Sequence, residues 1–144
     1  MNPDRDKSTH FINVDLDIYS RSNLEPLVTA LGKRVFVLYV GRPRRTYEAH
    51  LEIAAEPKTA DNAIKKFAAL INSLPSPARR LWDTAKRRDF SIGVQAAMES
   101  EVVDFPLELE TVRAVASLKA RIVITVYAPR LRSRTMLKRR AKAG

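Results

Sequence analysis

The 144-residue chain has no cysteine, four glycines, one tryptophan, two histidines and no apolar run long enough to span a bilayer. Each scarcity excludes something. Without cysteine there is no disulfide framework, no thiolate nucleophile and no zinc–thiolate site, and a reducing, cytoplasmic setting is the simplest expectation. The glycines, at 32, 41, 93 and 144, stand alone, so neither a phosphate-cradling loop nor a dinucleotide fingerprint is present. No GxSxG elbow and no HExxH pair occurs, which removes the commonest nucleophile and zinc-hydrolase patterns. Residues 1–9 open on Met1-Asn2-Pro3-Asp4, polar and lacking an apolar h-region, and read as a flexible lead rather than a signal peptide.

Acid is missing from one place in particular. Residues 130–144 carry Arg130, Arg132, Arg134, Lys138, Arg139, Arg140 and Lys142 with no Asp or Glu. The formal net charge is +10, so residues 1–129 hold 19 basic against 16 acidic side chains, only +3. The expectation is a single domain over 10–129 of ordinary charge, ending in a polycationic tail that contacts an anionic partner: RNA, DNA or an acidic protein surface. Leu131, Met136 and Leu137 give the tail too little apolar content to fold alone. The competing view is a solubilising terminus with no partner.

What is present within 10–129 is periodicity. His10 to Ser20 alternates, with Ile12, Val14, Leu16 and Ile18 on one side and Asn13, Asp15 and Asp17 on the other, as a half-buried strand does. Ser22 and Glu25 form a capping-box pattern ahead of a short helix through Leu27, Val28 and Leu31, closed by Gly32. Arg34 to Val40 is nearly all apolar and reads as a strand buried on both faces. Gly41 to Arg45 is a turn with three exposed arginines. Thr46 to Ala54 alternates again, with Glu48, His50 and Glu52 outward.

Thr59 caps a helix through Ile64, Phe67, Ala68 and Ile71, and Ser76-Pro77 starts another running to about Arg88. Phe90, Ile92, Val94, Ala96 and Met98 alternate as a strand. A short strand is expected over 102–109, weakened by Pro106, then a helix over 110–119 and a last strand over 121–128. The order β-α-β-β-αα-β-β-α-β predicts an α+β two-layer sandwich of ferredoxin-like, split βαβ plan, with five to six strands and helices on one face. Val28–Val40 and Val115–Tyr127 share a helix-into-strand pattern. The stretch Phe11–Pro129, with its late helix running into Ile124-Thr125-Val126-Tyr127, resembles small bacterial α+β domains of no established activity. That resemblance implies a fold and no function.

Two constellations carry possible chemistry. Asp15 and Asp17 on the first strand, with Glu48, His50 and Glu52 on the third, would gather on the uncovered face if those strands are neighbours. Carboxylates with one imidazole suit a divalent metal, and a carboxylate crowded by others suits a general base. The plain alternative is a solvated sheet face. Trp82, flanked by Arg79, Arg80, Lys86, Arg87 and Arg88, suggests base stacking with phosphate contacts, against a buried tryptophan on an amphipathic helix. The outward acids would repel phosphate and argue against RNA binding on the sheet. The leading expectation is therefore a non-enzymatic binding module acting through its tail. A metal-assisted enzyme is the alternative, and a homodimer through an open sheet edge or the polar face is a third possibility.

Overall fold

Alternation of apolar and polar side chains decides which face of the sheet is covered. In the computed structural model, which describes residues 8–99 and 101–129, β1 (His10–Ser20) buries Val14, Leu16 and Ile18 and leaves Asn13, Asp15 and Asp17 on the other side. The same division runs through β3 (Tyr47–Ile53), which buries Ala49, Leu51 and Ile53, and β4 (Arg87–Gln95), which buries Phe90, Ile92 and Val94. These side chains meet the apolar stripes of four helices: α1 (Glu25–Leu31), α2 (Ala60–Asn72), α3 (Ser76–Asp83) and α4 (Leu109–Ser117). Phe67 of α2 lies 5.9 Å from Phe90 of β4, ring centre to ring centre, in the middle of that layer.

The sheet has five strands in the order β2-β3-β1-β4-β5, with β2 (Val35–Gly41) and β5 (Arg121–Tyr127) at its edges. Neighbours are antiparallel except β4 and β5, which run parallel through the α4 crossover. The fold is thus α+β, with one mixed sheet and its helices on one face. Among the described residues, no helix is long and apolar enough to cross a membrane.

Local chemistry explains the helix ends. Thr59 Oγ1 accepts from the Asn62 N–H at 3.1 Å, the cap expected for α2. Gly32, at φ 61°, occupies the left-handed region that lets α1 turn into a single 3₁₀ turn. The capping box does not form. Asn23 Oδ1 takes the Glu25 N–H at 3.0 Å and Ser22 N–H bonds back to Ser20 Oγ at 3.1 Å, while Leu24 is pulled into the core and sets the entry to α1. Asp61 docks α4 on α2 by accepting from the Glu108 N–H at 2.8 Å and the buried Thr111 hydroxyl at 2.5 Å.

Four further expectations are corrected. β2 is not buried on both faces: as an edge strand it leaves Phe36, Val37, Leu38 and Tyr39 exposed, because no helix reaches over them and the far face is open. Residues 101–108 form no strand; Pro106 lacks a donor for a ladder, and the segment runs irregularly into α4. The helix expected to reach Arg88 stops at Asp83, since Arg87 and Arg88 already belong to β4, and β4 itself ends at Gln95, short of Ala96 and Met98.

Candidate functional site

The register of β1 against β3 sets Asp15 opposite Glu52, Asp17 opposite His50 and Tyr19 opposite Glu48, all on the face without helices. Asp15, Asp17, Glu48, His50 and Glu52 therefore share one surface, where β4 adds Ser91 opposite Asp15 and Asp89 opposite Asp17.

Asp17 is the hinge of one cluster. Its Oδ1 lies 2.6 Å from His50 Nδ1 and its Oδ2 accepts the Ser91 hydroxyl at 2.8 Å. An ionised carboxylate only accepts, so Nδ1 carries the proton and Nε2 is directed outward, 3.7 Å from Glu48 Oε1. The Tyr19 ring meets the imidazole edge-on at 5.8 Å and the Tyr39 ring lies tilted at 6.0 Å. Two tyrosines thus hold the imidazole on either side. Ser91 contacts the carboxylate and not Nε2, so the three do not form a nucleophilic triad.

Asp15 and Glu52 form the second cluster. Asn13 Nδ2 donates to Asp15 Oδ1 at 3.1 Å and to Glu52 Oε1 at 2.9 Å. Burial, then the Glu52 charge and a hydrogen bond to it, push the Asp15 carboxyl up to about 7, with Asp17 adding and His50 opposing. Asp15 can therefore hold a proton near neutrality. Gly93 makes room for this bridge: a Cβ there would sit 2.8 Å from Asn13 Oδ1. On β4, Asp89 takes a bidentate pair from Arg121 at 2.8 and 2.9 Å and a third contact from Arg87 at 3.1 Å. The Arg121 hydrogen bonds, outweighing burial, hold the Asp89 carboxyl below its ordinary value. Arg87 lies over the Tyr19 ring at 4.1 Å, linking this cluster to the imidazole.

The five acidic-face candidates are brought together, but as hydrogen-bonded pairs. Among the described residues, no group of three or more His, Asp and Glu side chains is disposed to hold a metal ion. Tyr19, Tyr39, Ser91, Asp89 and Arg121 escaped the sequence reading; the register of β4, which no local pattern reveals, is what delivers the last three. Trp82 offers no stacking platform. It is fully buried, with its indole N–H on the Leu118 carbonyl at 3.2 Å. Arg88 is not on a wet helix face either: it lies beneath the helices, donating to the carbonyls of Trp82, Asp83, Ala85 and Lys119 at 2.7–3.0 Å. A cleft of about 570 Å³ also opens beside the start of α2, between Phe11, Lys58, Phe105 and Glu108. The tail residues Arg130, Arg132, Arg134, Lys138, Arg139, Arg140 and Lys142 lie outside the described residues.

Comparison with known proteins leaves these side chains as the guide to function: no family model, no curated protein and no solved structure matches the chain.

Proposed function

We propose that the chain is a binding module whose basic segment, residues 130–144, docks on an anionic macromolecule: a nucleic acid or an acidic protein surface. The observation that carries this is the partition of charge, seven cations and no acid in that segment against +3 over residues 1–129. The open sheet face supports the division of labour. Its acids (Asp15, Asp17, Glu48, Glu52) would repel phosphate, which leaves the terminal segment as the cationic element. The strand order β2-β3-β1-β4, antiparallel throughout, supports a ferredoxin-like, split βαβ core to which α4 and β5 are appended. A chain without cysteine fits a reducing, cytoplasmic setting.

Removing residues 130–144 is expected to leave the fold intact and to abolish retention on heparin or nucleic acid. The full chain, by contacting about 4–7 phosphates, should lose affinity steeply as salt rises. Unchanged retention of the truncated chain would overturn the proposal.

The alternative is metal-assisted or acid–base chemistry on the open face. It is favoured by one observation, the Asn13-bridged Asp15–Glu52 pair beside the Asp17–His50 pair. A divalent cation should then raise the melting temperature of the wild type and not of an Asp15→Asn/His50→Ala double variant. Equal melting with and without the cation removes the metal-assisted form.

A further inference from the structure

β5 is an edge strand, and its outer side is built to be paired. β4 and β5 are parallel, and the Ala96 N–H donates to the Tyr127 carbonyl at 3.0 Å. In a parallel pair, alternate residues direct both backbone groups to the neighbour. Arg121, Val123, Thr125 and Tyr127 therefore bond toward β4, while Ile122, Ile124 and Val126 direct their N–H and C=O groups to the open edge. Ile124 is 65% and Val126 61% exposed, on the helix side of the sheet but beyond the cover of α4. α4, which packs on β5, adds exposed Leu109 and Val112.

Monomeric proteins blunt such edges with lysines, prolines, bulges or inward charges. β2 is blunted in this way. Its register shifts between Val37 and Tyr39, and cations flank it at Lys33 and Arg34 and again at Arg42, Arg44 and Arg45. β5 is flanked by cations as well, Lys119 before it and Arg130 beyond Pro129, but the strand itself carries no such device: its register with β4 is unbroken, it contains no proline, and its one charge, Arg121, is paired with Asp89.

We propose that β5 is a homodimer interface, pairing antiparallel with β5 of a second copy about a two-fold axis through Ile124. In that register Ile124 faces Ile124, Ile122 faces Val126, Val123 faces Thr125 and Arg121 faces Tyr127. The outward-directed residues fall in the hydrogen-bonded positions, as an antiparallel ladder demands. The pairs are β-branched on β-branched and cation on aromatic, with no like charges opposed. An isologous contact of this kind closes on itself and joins two five-stranded sheets into one. The two Pro129 residues lie at opposite ends of the paired strands.

Sedimentation of the full chain at physiological ionic strength should give twice the chain mass. Ile124→Lys sets two ammonium groups across the axis, and Val126→Pro removes an edge-facing N–H without touching the β4 ladder; both should sediment at half the wild-type mass and still bind heparin. Retained heparin binding separates this interface from the tail reading. Ile124→Cys, in a chain with no other cysteine, should crosslink on mild oxidation, since the facing Cα atoms of such a pair lie about 5.5 Å apart. A monomeric wild type, a dimer that survives Ile124→Lys, a dimer broken by Leu38→Lys on β2 instead, or open-ended oligomers would each overturn the proposal.

Discussion

Asp15 shows how a single side chain can set a pH dependence. Its carboxyl titrates near 7 in the folded chain and at its ordinary 3.8 when unfolded, because burial and the Glu52 charge disfavour the ionised form. Folding therefore holds a proton that the unfolded chain releases. The resulting cost is absent below about 3.8, grows as pH rises toward 7 and is complete above it. Asp15→Asn removes the cost and keeps a donor for Glu52. It should stabilise the protein by on the order of 1 kcal/mol above neutrality, a figure kept small because the pair is half solvated, and by nothing near pH 4. Chemical denaturation at the two pH values checks this. Asp15 and its companions were visible in the sequence as a polar stripe. Their pairing was not, because it depends on Asn13 of β1 reaching over to Glu52 of β3, with Gly93 of the other neighbour, β4, leaving its side chain room.

At the scale of elements, Arg88 fastens the second half of the fold. Its guanidinium donates to the last carbonyls of α3 and to Lys119 behind α4, so one planar fork joins two helix ends to the strand beneath them. Burial lowers its basicity, and the nearby Asp83 opposes that. Arg88→Lys keeps the charge but cannot make the fork, and should destabilise by roughly 1.5–3 kcal/mol in equilibrium unfolding.

Arg88 marks the kind of feature that local pattern misreads. A cation after Lys86 and Arg87 resembles the wet face of a helix, and only the pairing of Ile18 with Arg88 shows it facing the core. β1, β3 and the first part of β4 were legible because water on one face forces alternation. β2 was not, since an apolar run announces strand propensity without saying how many faces are covered, and here the strand lies at the margin of the sheet. The apolar residues of 101–108 misled for a related reason: Val102, Val103 and Phe105 stay exposed, only Leu107 packs on the core, and none joins a ladder.

At the scale of the whole molecule, the balanced domain and its cationic terminus act at different ranges. The charge of residues 130–144 extends about 8 Å into solution at physiological salt, whereas the sheet edges work only in contact. If two copies join through β5, each assembly presents two basic segments, and binding to a long polyanion should tighten beyond what one segment gives. Weaker retention of Ile124→Lys than of wild type on a long polyanion, with equal retention on a short one, would register that gain.

The central position of β1 has a consequence for synthesis. Both of its hydrogen-bonding edges are taken by strands that come later in the chain, β3 on one side and β4 on the other. A nascent polypeptide therefore carries its future spine, apolar on one side and unpaired on both, through the emergence of tens of residues before the last partner arrives. Closing such distant contacts is slower than forming local ones, so β1 keeps its apolar side and both of its edges open until those later strands arrive.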